Sequence, residues 1–336
     1  MNRILITGGA GFIAHHIIKE ILDTTDWEIV SLDKLDFSGN LNRLADILSN
    51  SPEKHRVKVV YHDLRAEVNK TTRGLIGDVN YVLHMSANPH VDKSILDPLS
   101  SVLDNVVGTC NILNFARELP NLKRFIYFST DEVFGTATDE VQFDEYSRYN
   151  SGNPYSASKA GGEELAVAFY NTYKMPIYIT HSMNVFGERQ QAKAFIPICI
   201  NKILNEETLT IHSDETLTQI PSRKYVYAKD VADAIMILLN TDIEYIQNEG
   251  LKKVPKFNIV GRENLNILDI AKTIAAALGK ELKYKLTSSD RPGADIKYSM
   301  SNSYMYELGW EAKVPFNTAI PGVVEWFLKN KEWLKP

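Results

Sequence analysis

The chain has 336 residues, 44% of them hydrophobic and 24% charged, with a net charge of −5. That suits a soluble globular protein with one large core or two modest ones, and it offers no basic field for a nucleic-acid backbone, so a small-molecule partner is expected. Cys110 and Cys199 stand far apart with no ligand spacing around them, no run is long enough to span a membrane and MNRILITGG lacks a leader pattern, so the expectation is a cytoplasmic protein without disulfides, bound metal or membrane contact.

In chain order, apolar runs at 4–7, 29–32, 57–61, 81–84, 124–128 and 177–183 alternate with helical patterns. Each run is too short for a helix and lacks polar alternation, as strands buried on both faces of a parallel sheet do. The alternation predicts an α/β fold, a Rossmann-type doubly wound parallel sheet whose ligand lies beyond the carboxyl ends of the strands. From about Phe186 the rhythm breaks into helices, short strands and loops. The expected division is 1–185 and 186–336, the latter a smaller C-terminal α/β domain, with an approximate boundary that the chain is free to cross.

Between the first run and the first helical pattern lies TGGAGFIA, Thr7 to Ala14. Gly8 and Gly11 allow a tight turn whose backbone N–H groups approach a pyrophosphate, with Phe12 and Ile13 opening the helix behind it. Asp33 ends the second run, where a carboxylate binds a ribose 2′-hydroxyl and repels a 2′-phosphate, so NAD is expected over NADP. Lys34 beside it softens that preference. Asp63, followed by Leu64, stands after the third run as an adenine contact or, equally, a solvated loop residue. Ser86 and Ala87 follow the fourth run, completing the cofactor side.

After the fifth run comes FSTDEVFG, residues 128–135, with Thr130 followed by adjacent carboxylates, Asp131 and Glu132. Pro154 then marks a helix start, and Tyr155 and Lys159 lie four apart on one helical face. A tyrosine titrates near 10, so using it as a base at neutral pH requires stabilising its phenolate by about 4 kcal/mol, part of which a fixed cation supplies. Standing alone, such a pair is more often two residues sharing a face; the nucleotide-type fold reverses that reading. The remaining histidines His15, His16, His62 and His84 show no metal-ligand spacing.

TGGAGFIA, Asp33, STDEVFG and YSASK together resemble the extended short-chain dehydrogenase/reductase family along nearly the whole chain. Within it, DKLxxxGN (Asp33 to Asn40), HVDKSI (His90 to Ile95), PYSASKA and RPGAD (Arg291 to Asp295) are most similar to the dTDP-glucose 4,6-dehydratases. The resemblance implies an NAD-dependent hydro-lyase acting on dTDP-glucose or UDP-glucose, with 1–185 as the NAD-binding domain and 186–336 mainly binding the sugar nucleotide. It implies that Tyr155, with Lys159, removes the 4-hydroxyl proton, that Glu132 removes the C5 proton, that Asp131 protonates the departing C6 hydroxyl and that Thr130 bonds the 4-oxygen. Two carboxylates with opposite duties need different protonation states, which mutual repulsion and burial create.

The resemblance also assigns His90, Asn184, Arg223, Asn258 and Arg291 to the substrate; the two arginines suit its pyrophosphate. Departures cluster there: Ala192 to Pro197 replaces PEKLIP, Ser86 to Pro89 replaces AAES, and Ser213-Asp214-Glu215 replaces a glycine-rich turn, which bears on the choice between dTDP and UDP. Epimerases of the same family usually lack the acid pair, and decarboxylases keep Glu132 without Asp131, so Asp131 is the residue against those alternatives. A silent NAD-binding regulator is the third reading, countered by an intact Thr130, Asp131, Glu132, Tyr155 and Lys159 set. Helical patterns at about 99–117 and 155–173 are expected to pair across a two-fold axis as a homodimer.

Overall fold

The computed structural model describes all residues except 37, 50, 138–140, 289–298 and 336. Its first six strands are β1 (Arg3–Thr7), β2 (Glu28–Asp33), β3 (Val57–Tyr61), β4 (Tyr81–His84), β5 (Arg124–Thr130) and β6 (Ile177–Ser182). Then follow β7 (Asn184–Phe186), β8 (Leu209–Ser213), β9 (Ser222–Tyr227), β10 (Ile246–Asn248), β11 (Leu251–Lys253), β12 (Lys256–Ile259), β13 (Asn264–Asn266) and β14 (Tyr284–Ser288). Seven parallel strands make the main sheet in the order β3-β2-β1-β4-β5-β6-β12. The order reverses between β1 and β4, opening a crevice at their carboxyl ends.

Side chains alternate across each strand, so adjacent residues feed two separate core layers. Ile4 and Ile6 pack with Ile17, Ile21, Val231 and Ile235, from the helices Phe12–Thr24 and Ala228–Asn240. Leu5, Val82 and Phe125 point to the other face, with Ile112 and Ala166 from the helices Gly108–Ala116 and Pro154–Tyr173. A third core of Ile200, Ile211, Ile274 and Ile320 joins the helices Phe195–Leu204, Ile267–Leu278 and Phe316–Lys329 to the β8–β14 pair.

One feature differs from the sequence expectation. β3 is an edge strand with Val59 and Tyr61 exposed, so its apolar run is not covered on both sides. The chain re-enters the first layer after Phe186: the helix Ala228–Asn240 packs on Phe12–Thr24, and β12 pairs with β6. Residues 228–259 thus complete the large sheet from the second half. Among the described residues no helix is long and apolar enough to cross a membrane.

Candidate active site

A cleft of about 450 Å³ runs along the strand ends. At its β1 end, Gly8 has φ +71°, and a Cβ there would sit 3.0 Å from the Ser86 nitrogen, so only glycine suits this close passage. The helix Phe12–Thr24 starts without a side-chain cap and with no acidic residue in its first turn, leaving its N–H groups and positive dipole end for an anion. Asp33 accepts one N–H on each oxygen, from Leu35 (2.8 Å) and Ala10 (3.1 Å), and both oxygens keep further lone pairs beside the cleft. Lys34 also lines this end, its ammonium paired with Asp104 (2.7 Å) and Asp36 (3.0 Å), which offset its charge. Asp63 pairs with Arg65. Gly11, Phe12, Ile13, Leu64, Ser86 and Ala87 complete the lining, a set that fits a dinucleotide's pyrophosphate and ribose hydroxyls.

The acid turn forms where β5 ends. Thr130 caps the short 3₁₀ turn Asp131–Phe134, its hydroxyl accepting the Glu132 N–H at 3.4 Å and donating to Asp131 Oδ1 at 3.1 Å. Asp131 is 3% exposed, and its Oδ2 has no hydrogen-bond partner among the described residues. Facing it, the helix Pro154–Tyr173 begins with a capping box, Asn153 accepting the Ser156 N–H at 2.9 Å, worth about 1 kcal/mol. Asn153 also donates to Glu132 Oε2 at 3.4 Å, so the cap that starts the helix orients the carboxylate too. Tyr155 hydrogen-bonds Thr130.

Burial governs the charges here. It pushes the Asp131 carboxyl up to about 7, reinforced by Glu132 and partly opposed by Arg223. Burial raises the Tyr155 phenol well above its ordinary value, again with Glu132 adding and the Thr130 hydrogen bond opposing. Lys159 is brought down to about 7 by burial, with Glu163 holding it up. The Lys159 ammonium donates to the Phe128 carbonyl at 2.7 Å.

Asn184 lines the cleft, and with it Tyr225, to which it hydrogen-bonds. His90 precedes the helix Val91–Leu96 outside the lining, and Arg223 lies on β9, near enough to act on Asp131. Asn258 departs from its expected place: fully buried in β12, its side chain bonds His181 Nδ1 (2.9 Å) and the Ser301 carbonyl (2.8 Å). Arg291 lies outside the described residues. His84 is a core residue held between Thr7 (2.7 Å) and Thr109 (2.9 Å). Residues missed from sequence are Tyr225, Gln190 and Gln191 on the cleft wall, Asp104, and Glu163. Glu163 had a legible signal, since it repeats the four-residue spacing of Tyr155 and Lys159. Asp104 had none: it sits in a π-helical turn, Leu103–Val107, that aims it at Lys34.

A family profile for GDP-mannose 4,6-dehydratase matches residues 5–322. The chain is 33% identical over 347 residues to a dTDP-D-glucose 4,6-dehydratase of Mus musculus, covering 98% of this chain and 89% of that protein. It is 32% identical over 340 residues to a trifunctional Arabidopsis thaliana protein that includes UDP-glucose 4,6-dehydratase, covering 99% of this chain and 48% of the longer one. The crystal structure of a dTDP-glucose 4,6-dehydratase from Streptomyces venezuelae with NAD bound superposes with a TM-score of 0.86 at 29% identity, across 99% of both chains.

Proposed function

The chain belongs to the GDP-mannose 4,6-dehydratase family, within the extended short-chain dehydrogenases/reductases, and from that premise we propose that it converts dTDP-glucose, ranked ahead of UDP-glucose, to its 4-keto-6-deoxy form plus water. It is an NAD-dependent hydro-lyase. The observation that carries the dehydratase reading is the Asp131–Glu132 pair opposite Tyr155, with a buried Asp131 oxygen that has no hydrogen-bond partner among the described residues. An epimerase needs no proton donor at C6.

Held along Gly8, Gly11, Asp33 and Ser86, NAD would supply the hydride acceptor for C4 and the hydride donor for C6, and a positive charge near the phenol. Tyr155 takes the 4-hydroxyl proton while Thr130, bonded to the phenol, holds the 4-oxygen. The resulting ketone acidifies C5–H, which Glu132 removes. Asp131 gives its proton to the C6 hydroxyl, which leaves as water, and as hydride reaches C6 a solvent-exchanged proton returns from Glu132 to C5. Asp131 protonated beside an ionised Glu132 is the division of labour that burial and mutual repulsion favour. Arg223, Asn184, His90 and Arg291 are proposed for the sugar nucleotide; Asn258 is not, because its side chain is committed elsewhere.

Incubation with dTDP-glucose or UDP-glucose in deuterated water tests this by mass and NMR. The expected product has lost water and carries deuterium at C5, forming faster from dTDP-glucose; no product from either rejects the proposal.

A homodimer is part of this reading. Leu96, Leu99, Val102 and Leu103 are exposed side by side, next to a face of the helix Pro154–Tyr173 carrying the small residues Ala157, Gly161 and Ala168. Small residues let helices approach closely across a two-fold axis, and four neighbouring apolar side chains need cover. Leu99→Asp with Leu103→Asp is expected to yield monomers by sedimentation velocity where the parent chain is a dimer. With Cys110 and Cys199 both unpaired, we assign it to the reducing cytoplasm.

A further inference from the structure

Behind the catalytic helix lies a buried charged cluster that the proposed reaction does not use. Glu163 is fully buried, and its carboxylate takes hydrogen bonds from Lys256 (2.8 Å), from His181 (3.1 Å to each oxygen) and from the Tyr149 hydroxyl. These partners come from β12, β6 and the segment before the helix. The His181 ring packs 4.8 Å from Phe134, the last residue of the acid turn. Burying an ion cluster is seldom a net gain over apolar packing, so its presence calls for a reason other than stability.

Lys159 supplies that reason. Its ammonium is buried, bonded to the Phe128 carbonyl and 4.4 Å from the Tyr127 ring centre, both neutral. The titratable groups around it are Tyr155 and Glu163 on its own helix, Tyr127 on β5 and His84 on β4; of these, Glu163 alone provides lasting negative charge. Tyr155, Lys159 and Glu163 follow one another at four-residue intervals along one helix face.

We propose that Glu163 is a positioning residue: its buried carboxylate keeps the Lys159 ammonium charged, and the Lys256–His181–Tyr149 cluster keeps that carboxylate ionised and in place. The electrostatics agree in direction. Burial would raise the Glu163 carboxyl, yet His181 and Lys256 hold it well below the ordinary range, while Lys159 falls to about 7 even with Glu163 present. Without that anion a neutral lysine would prevail at neutral pH and no longer support a Tyr155 phenolate.

The inference rests on the reading of Tyr155 and Lys159 as a working pair, so its test has a readout independent of turnover. In protein labelled with ¹³C-lysine, the Lys159 Cε resonance, assigned through Lys159→Met, is titrated in the full chain. Glu163→Gln is expected to lower the midpoint by about one pH unit or more. In turnover it should lower kcat about tenfold at neutral pH and bring the alkaline limb of kcat down by a similar interval, with KM within about twofold. Lys256→Met, which removes a cation that keeps Glu163 ionised, is expected to move the midpoint downward, by less than Glu163→Gln does. A Glu163→Gln midpoint within about 0.3 units of the parent would overturn the proposal, because a purely structural brace changes stability and not the lysine's titration. Should Glu163→Gln fail to fold, Lys256→Met decides, and an upward or absent shift overturns it. A parent protein without dehydratase activity would instead reject the function, leaving the titration to judge Glu163.

Discussion

Tyr155→Phe should lower kcat for water loss by about 10³-fold, the upper part of the range for a positioned acid–base group. The phenol is buried and hydrogen-bonded to Thr130, and phenylalanine retains the ring while removing the one group proposed to take the 4-hydroxyl proton. Oxidation at C4 precedes every later step. The variant should therefore show neither the near-ultraviolet absorbance of reduced nicotinamide in a single turnover nor deuterium entry at C5. Normal exchange at C5 in this variant would mean that another group is the base.

Asp131→Asn should act later and more selectively. Amide for carboxyl preserves size in a site that is 3% exposed but leaves no acidic proton for the departing hydroxyl, so product formation should fall about 10²-fold to 10³-fold. C4 oxidation and C5 exchange should persist, and reduced nicotinamide should accumulate instead of passing through unseen. The pH dependence carries a sign. With its carboxyl raised to about 7, Asp131 donates below that pH and loses the donating form as pH rises through it. The elimination step in the parent is expected to decline above about pH 7; in the variant that step, followed by rapid quench from the accumulated reduced-nicotinamide state, should lose this decline, while the alkaline limb that Lys159 sets on C4 oxidation remains. Undiminished 4-keto-6-deoxy product from Asp131→Asn would show that the acid is another group.

Much of the cofactor half was legible because its determinants are local. A glycine turn between strand and helix, a carboxylate at a strand end and a proline before Tyr155 each act through neighbours a few residues away, and the structure has β1, β2, β5 and the helix Pro154–Tyr173 where those signals put them. Lys34 shows where local reading stops. Next to Asp33 in sequence it was expected to soften NAD preference, and only the fold shows that Asp104, seventy residues on, pairs with its ammonium. Asn258 failed for a similar reason, since only the pairing of β12 with β6 brings it beside His181 and into the core.

The amino-acid sequence by itself determined the doubly wound layer, the phosphate turn and the identity of the acid pair and the Tyr155–Lys159 pair, because hydrophobic period, glycine and capping chemistry are readable within one element. Only the tertiary structure decided which charges those groups carry. Burial and the turn joining Asp131 to Glu132 push the Asp131 carboxyl up, and burial pushes Lys159 down against Glu163, whose partners His181 and Lys256 come from other elements. Desolvation and Coulomb energy depend on distance and exposure in space, which no spacing along the chain encodes.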